Sequence, residues 1–181
     1  MARVRDVPPE QVPADVREVY LRFASGYGPF RNQVGVFAHV PSSVRHLMAM
    51  LLELREQRNV PYRYVELAIV AVAKLNQCRY CVAQHQPLLA IEGISAAGAD
   101  RVLDYQEHPE FDDVDKLVVE YAIQVTNAPQ RVRDQLFERL QRHFSEAQIV
   151  ELTLRIALCG FFNRMNDALM IDAETGMPAA T

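Results

Sequence analysis

An all-α protein is what the sequence predicts, on three observations. Apolar residues recur three and four apart along nearly the whole chain. Glycine is sparse, seven in 181 residues, and no run alternates toward a hairpin turn. Half the residues are apolar and 23% are charged, a balance that suits a buried core. One domain is expected at this length. Its layout is a helical extension over about residues 1–42, a core over about 43–170, and a loose tail over about 171–181.

The elements follow in order. "PPEQVPADVREVYLRFASGYG" reads as a first helix, with Val16, Val19, Tyr20 and Phe23 at helical spacing and glycines at its end. "RNQVGVFAHVP" is a shorter piece that stops before Pro41. "SSVRHLMAMLLELREQ" starts at a serine cap and runs amphipathic. "VPYRYVELAIVAVAKL" opens with Pro61 near a favourable first-turn position and is apolar nearly all round after Glu66, so it should be a buried helix. "CRYCVAQHQPLLAIEG" follows. Gly93 marks its end, and Pro87 inside it should kink it or stop it early. "SAAGADRVLDYQ", "DDVDKLVVEYAIQVTN" and the amphipathic "QRVRDQLFERLQRHF" are further helices. "SEAQIVELTLRIALCGFFNRMNDALM" opens with Ser145 and Gln148 in capping-box spacing.

A faint internal repeat appears at an offset of 85 residues. Val65, Glu66, Leu67, Arg79 and Ala83 recur as Val150, Glu151, Leu152, Arg164 and Ala168. The second copy carries Asn163 and Asn166 where the first carries cysteines, which makes it scaffold.

Composition narrows the function. With 19 Lys and Arg against 23 Asp and Glu, the formal net charge is -4, and no basic stripe suggests nucleic acid. No apolar stretch approaches the ~20 residues of a membrane span. "MARVRDVPPEQ" lacks the apolar region of a signal peptide. Three cysteines is an odd number, against a secreted disulfide scaffold, so a cytoplasmic location is expected.

There a C-x-x-C pair is catalytic or metal-binding more often than structural. "LNQCRYCVAQHQ" holds such a pair. On one helix Cys78, Cys81 and His85 form a single stripe. If the helix begins near Gln77, Cys78 lies in its first turn, where the dipole favours thiolate. Glu66 lies twelve residues before Cys78, about 18 Å away on a straight helix at ~1.5 Å per residue. A turn at "LNQ", with Asn76 in the left-handed conformation, would fold it back. A carboxylate and an imidazole beside two thiols then make a proton relay. The helix end favours Cys78 as the attacking thiol, and an i, i+4 contact with His85 favours Cys81.

Glu66, eleven residues, Cys78, two residues, Cys81, three residues and His85 resemble the E-x11-C-x2-C-x3-H pattern of the AhpD-like alkylhydroperoxidases, within the carboxymuconolactone decarboxylase superfamily. "VFAHVP" at 36–41 and "NRMNDAL" at 163–169 resemble the surroundings in peroxidase-related members. The resemblance implies an AhpD-like helical fold and a thiol-dependent peroxidase or disulfide reductase. It implies that Cys81 is oxidised by peroxide, that Cys78 donates a proton and closes a Cys78–Cys81 disulfide, and that Glu66 and His85 relay protons. It implies a peroxide substrate, a thiol or disulfide electron donor, no cofactor, and a trimer or hexamer. Self-association also fits the helices that are apolar nearly all round. AhpD proteins carry a histidine where this chain has Tyr80, so the resemblance does not extend to that residue.

Blander readings stand beside these. Two cysteines, His85 and Glu66 could ligate zinc, but structural zinc draws on two knuckles and no second pair exists. Glu66 could be a satisfied acid near a helix start, as its copy Glu151 suggests. Cys159 reads as a small core residue. Tyr62, Tyr64 and Tyr80 read as core or pocket lining. His39, His46, His108 and His143 show no partner in sequence. "GYG" at 26–28 lacks the strand and helix of a dinucleotide site. Two alternative functions remain: a decarboxylase-like enzyme acting on a lactone or small acid, and a helical redox sensor that oxidises once.

Overall fold

The computed structural model describes residues 2–27 and 30–174. Nine α-helices and several short 3₁₀ or wide-turn segments account for the regular structure of the described residues, with no strand among them. Two compact units form. One holds residues up to Asn59 and from Asn166 onward, and the other holds Val60–Met165. The first break falls between a third and a fourth helix, not near residue 42.

In the first unit, Pro9–Gln11 form a 3₁₀ turn ahead of α1 (Ala14–Arg22), which widens into a π-type turn over Phe23–Tyr27. Val16, Tyr20 and Phe23 are buried, as their spacing requires. The short piece is α2 (Arg31–Phe37). The next helix begins with wide turns over Ser43–Met48 and continues as α3 (Ala49–Gln57). The expected serine cap is not made. Ser42 already has helical dihedrals and its side chain caps nothing, while the Ser43 hydroxyl donates back to the Phe37 and Val40 carbonyls. The described part of the expected loose tail is tied down. Ile171 is buried, and Asn32 donates from its side chain to the Asp172 carbonyl and from its backbone to Glu174. Residues 175–181 of that tail, and Gly28 of "GYG", lie outside the described residues.

The second unit is built around α4 (Tyr62–Leu75), with Pro61 at its N-cap. Every residue from Val65 to Ala73 is buried, which accounts for a helix apolar on all sides. It packs against α5 (Arg79–Ile91) and α7 (Asp113–Asn127). Pro87 sits inside α5 without stopping it. The helix runs one further turn and closes in a Schellman motif, where Gly93 (φ +89°) donates to Ala90 and Ile94 to Leu89. Beyond it come α6 (Ala96–Asp100), capped by the Ser95 hydroxyl, and a 3₁₀ segment over Val102–Glu107.

Asp112 and Asp115 cap α7 reciprocally. Asp112 Oδ1 accepts from the Val114 and Asp115 N–H groups, and Asp115 Oδ2 accepts from the Asp112 N–H. Asp115 is fully buried and also takes a two-pronged contact from Arg63, at 2.9 Å from Nε and 2.6 Å from Nη2. Arg63 spends its remaining donors on the Glu92 and Glu110 carbonyls, at 2.7 and 3.2 Å. One guanidinium thus ties together the starts of α4 and α7 and the loop after α5.

After α8 (Asp134–Gln141), α9 (Glu146–Leu169) opens with the expected pairing. Ser145 N–H donates to Gln148 Oε1, and Gln148 N–H donates to Ser145 Oγ. Over the stretch aligned with the α4–α5 turn, α9 runs on as unbroken helix, so the repeat shares sequence but not the turn. Two histidines have partners that sequence did not show. His108 is buried with Nδ1 accepting from the Glu110 N–H, so its proton sits on Nε2, 3.0 Å from the Gly98 carbonyl. His39 Nε2 reaches the Arg5 carbonyl at 2.8 Å.

Candidate active site

The turn between α4 and α5 places the thiols. Gln77 N–H donates to Lys74 and Cys78 N–H donates to Ala73, a second Schellman closure. The left-handed residue is Gln77 (φ +56°), one position beyond the expected Asn76, which keeps right-handed dihedrals. Glycine usually occupies this place, because any side chain there is strained. Gln77 is exposed. Gln77→Gly is therefore expected to raise stability by about 0.5–1 kcal/mol, read as a higher midpoint in chemical denaturation.

Cys78 ends this closure and is also the N-cap of α5, with its carbonyl accepting from Val82 N–H. It lies at the mouth of the helix, not within the stripe that sequence drew. Cys81 is the third helical residue. Both therefore sit where unsatisfied N–H groups and the helix dipole favour negative charge. The Cys78 Sγ donates to Cys81 Sγ at 3.2 Å. Cys78 is 0% exposed and Cys81 3%, so the little solvent access there is belongs to Cys81.

Glu66 comes back as the sequence required. It is buried in the second turn of α4, and its Oε2 lies 2.9 Å from His85 Nδ1. That bond joins α4 to α5 and fixes one face of the imidazole. Tyr80, between the cysteines, is buried. Gln84, one residue before His85, is also buried, and its Oε1 has no hydrogen-bond partner. Tyr64 lies elsewhere and packs edge-on against Phe144 at 5.3 Å. Among the described residues, no three His, Cys, Asp or Glu side chains group as metal ligands.

Sequence reasoning missed what lies behind the pair. Cys159 on α9 is buried, with Sγ 3.6 Å from the Ile69 carbonyl of α4. Burial pushes its thiol pKa strongly up, a hydrogen bond from Asn163 opposes this weakly, and the nearby Cys78 and Glu66 push it further up. It is held neutral. Asn163 also accepts 2.8 Å from Asn76. The signal existed in the repeat, where Asn163 aligns with Cys78. Glu151, the copy of Glu66, is satisfied differently, by Arg155 at 3.3 Å one turn on. The first copy has Val70 at that place, which leaves its carboxylate for His85.

No family model matches the chain. Uncharacterized protein YnjA of Escherichia coli (strain K12) is 27% identical over 169 residues, covering 92% of each chain. The crystal structure of an alkylhydroperoxidase AhpD core, an uncharacterized peroxidase-related protein from Ralstonia eutropha JMP134, superposes with a TM-score of 0.81 at 25% identity, over 96% of this chain and 92% of that one. The chain belongs to the AhpD-like superfamily. AhpD-like architecture also covers the debrominase Bmp8 in complex with 2,3,4-tribromopyrrole, at a TM-score of 0.78 and 16% identity over 95% of this chain and 91% of that one. That likeness is one of fold. The AhpD-like reading from sequence thus holds for fold and superfamily. No helix among the described residues is long and apolar enough to cross a membrane.

Proposed function

We propose that this AhpD-like chain is a thiol-dependent peroxidase that cycles through a Cys78–Cys81 disulfide. One observation carries the reading: two adjoining thiols at a helix N-terminus, with Glu66 and His85 paired beside them on the same two helices. The direction of the thiol contact supports Cys81 as the attacking sulfur and Cys78 as its proton source, and the exposure order agrees.

In the first step the Cys81 thiolate attacks the terminal oxygen of a hydroperoxide. The O–O bond breaks, Cys81 becomes a sulfenic acid, and the leaving alkoxide takes a proton and departs as alcohol. Cys78 then attacks the sulfenic sulfur. An S–S bond forms and hydroxide leaves as water with a relayed proton. An external dithiol restores both thiols by exchange and is itself oxidised. The Glu66–His85 pair supplies and accepts the protons of the first two steps, with Glu66 orienting the ring. The donor is a thiol protein or small dithiol, and the working form is a homo-oligomer, a trimer or hexamer.

Peroxide consumption with dithiothreitol as donor tests the reading. Continuous turnover is expected; oxidation that stops after one equivalent would instead describe a sensor. Glu66→Gln is expected to lower turnover by about 10²-fold while both thiols remain open to alkylation. A rate equal to wild type would remove Glu66 from the relay.

A further inference from the structure

Asn163 is a buried polar group that the proposed chemistry does not use. It is 1% exposed on α9, and it faces the α4–α5 turn from a third helix. Its Oδ1 accepts 2.8 Å from Asn76 Nδ2. Its Nδ2 lies 3.6 Å from Cys159 Sγ, whose own contact is the Ile69 carbonyl of α4. The amide is therefore fixed on both sides before it meets Asn76. Asn76 is the residue before the left-handed Gln77 and two before Cys78. A strained turn is held only where its surroundings over-determine it. A dithiol and its disulfide differ in the spacing and direction that they demand of the two Cβ atoms.

We propose that Asn163 is a positioning residue for the thiol pair. By holding Asn76 it sets the turn that ends in Cys78, and with it the presentation of Cys78 to Cys81. This deepens the thiol-redox reading and rests on it, but its readout uses no peroxide.

The experiment equilibrates the full chain with mixtures of reduced and oxidised dithiothreitol at pH 7. The protein dithiol passes two electrons and two protons to the oxidised reagent, which becomes dithiol as the Cys78–Cys81 bond forms. Acid quench, alkylation and mass spectrometry give the disulfide fraction for wild type, Asn163→Ala, Asn76→Ala and the double variant. Thermal melts run alongside. Each single variant is expected to shift the exchange constant about fivefold, and the double variant by no more than either, because both remove one bond. Lower melting temperatures with constants within about twofold of wild type would overturn the proposal, as would single effects that multiply in the double. If Asn163→Ala does not fold, the half-buried Asn76→Ala decides alone by the same criterion. A wild-type chain that never exchanges would overturn the redox reading itself, whereas unchanged variants of an exchanging wild type overturn only the role of Asn163.

Discussion

Cys81→Ser is expected to reduce peroxide turnover by at least about 10³-fold, because a serine hydroxyl at neutral pH is a far weaker nucleophile than a thiolate. Little should change structurally. The side chains are nearly isosteric, and Cys81 contributes only its third-residue place in α5. Cys78→Ser should behave differently. It keeps the attacking sulfur but removes the partner, so one equivalent of peroxide is consumed and a sulfenic acid persists at Cys81, which dimedone captures. Serine at position 159 should leave turnover near wild type, since that thiol is buried and held neutral. Turnover that survives in Cys81→Ser and vanishes in Cys78→Ser would exchange the two roles.

Asp115→Ala is expected to cost at least about 3 kcal/mol, the loss that follows when one partner of a buried ion pair is removed. Asp115 has no exposed surface, while the Arg63 side chain is 27% exposed, so the stranded charge is Arg63 and part of it can reach water. The same substitution removes the carboxylate that accepts from the Asp112 N–H at the start of α7. At roughly 2–4 °C per kcal/mol for a chain of this size, the melting temperature should fall by roughly 6–12 °C. Asp115→Asn keeps the shape and one acceptor and should lose less. A melting temperature within about 2 °C of wild type in Asp115→Ala would show that the pair contributes no net stability. The site lies on the same helix as Arg63, so thiol reactivity measured beside the melt shows whether the clamp also serves the chemistry.

The helices were legible because their signals are local. Ser145 with Gln148 and Gly93 mark ends through side chains that satisfy backbone groups a few residues away, and apolar spacing marks the buried faces. The Glu66–His85 pairing was legible for a related reason. A turn between two helices is the one way to bring residues 19 apart to 2.9 Å here, and "LNQ" was the place for it. Which residue turns left-handed was not legible. Asn is the better left-handed residue by itself, but Asn76 has a stronger use for its side chain, in the bond to Asn163 87 residues away. Pro87 misled for a similar reason. Its missing N–H costs one helical bond, and the packing of α5 on α4 outweighs that locally. The Ser43 bonds, the His108 tautomer and the surroundings of Cys159 depend on partners that only the folded chain supplies.

Cys78 belongs to two hydrogen-bond ladders at once. Its N–H closes α4 on Ala73, and its carbonyl opens α5 toward Val82. A four-residue "CRYC" moved into another protein would keep the sulfur spacing and lose both anchors. The smallest piece that carries this chemistry to a new scaffold is the whole hairpin of α4 and α5, from Arg63 through Ile94, since it alone contains the helix end, the strained residue, the thiols and the Glu66–His85 pair. For a designer the cassette is a helical hairpin of about thirty residues, a length set by its own closures.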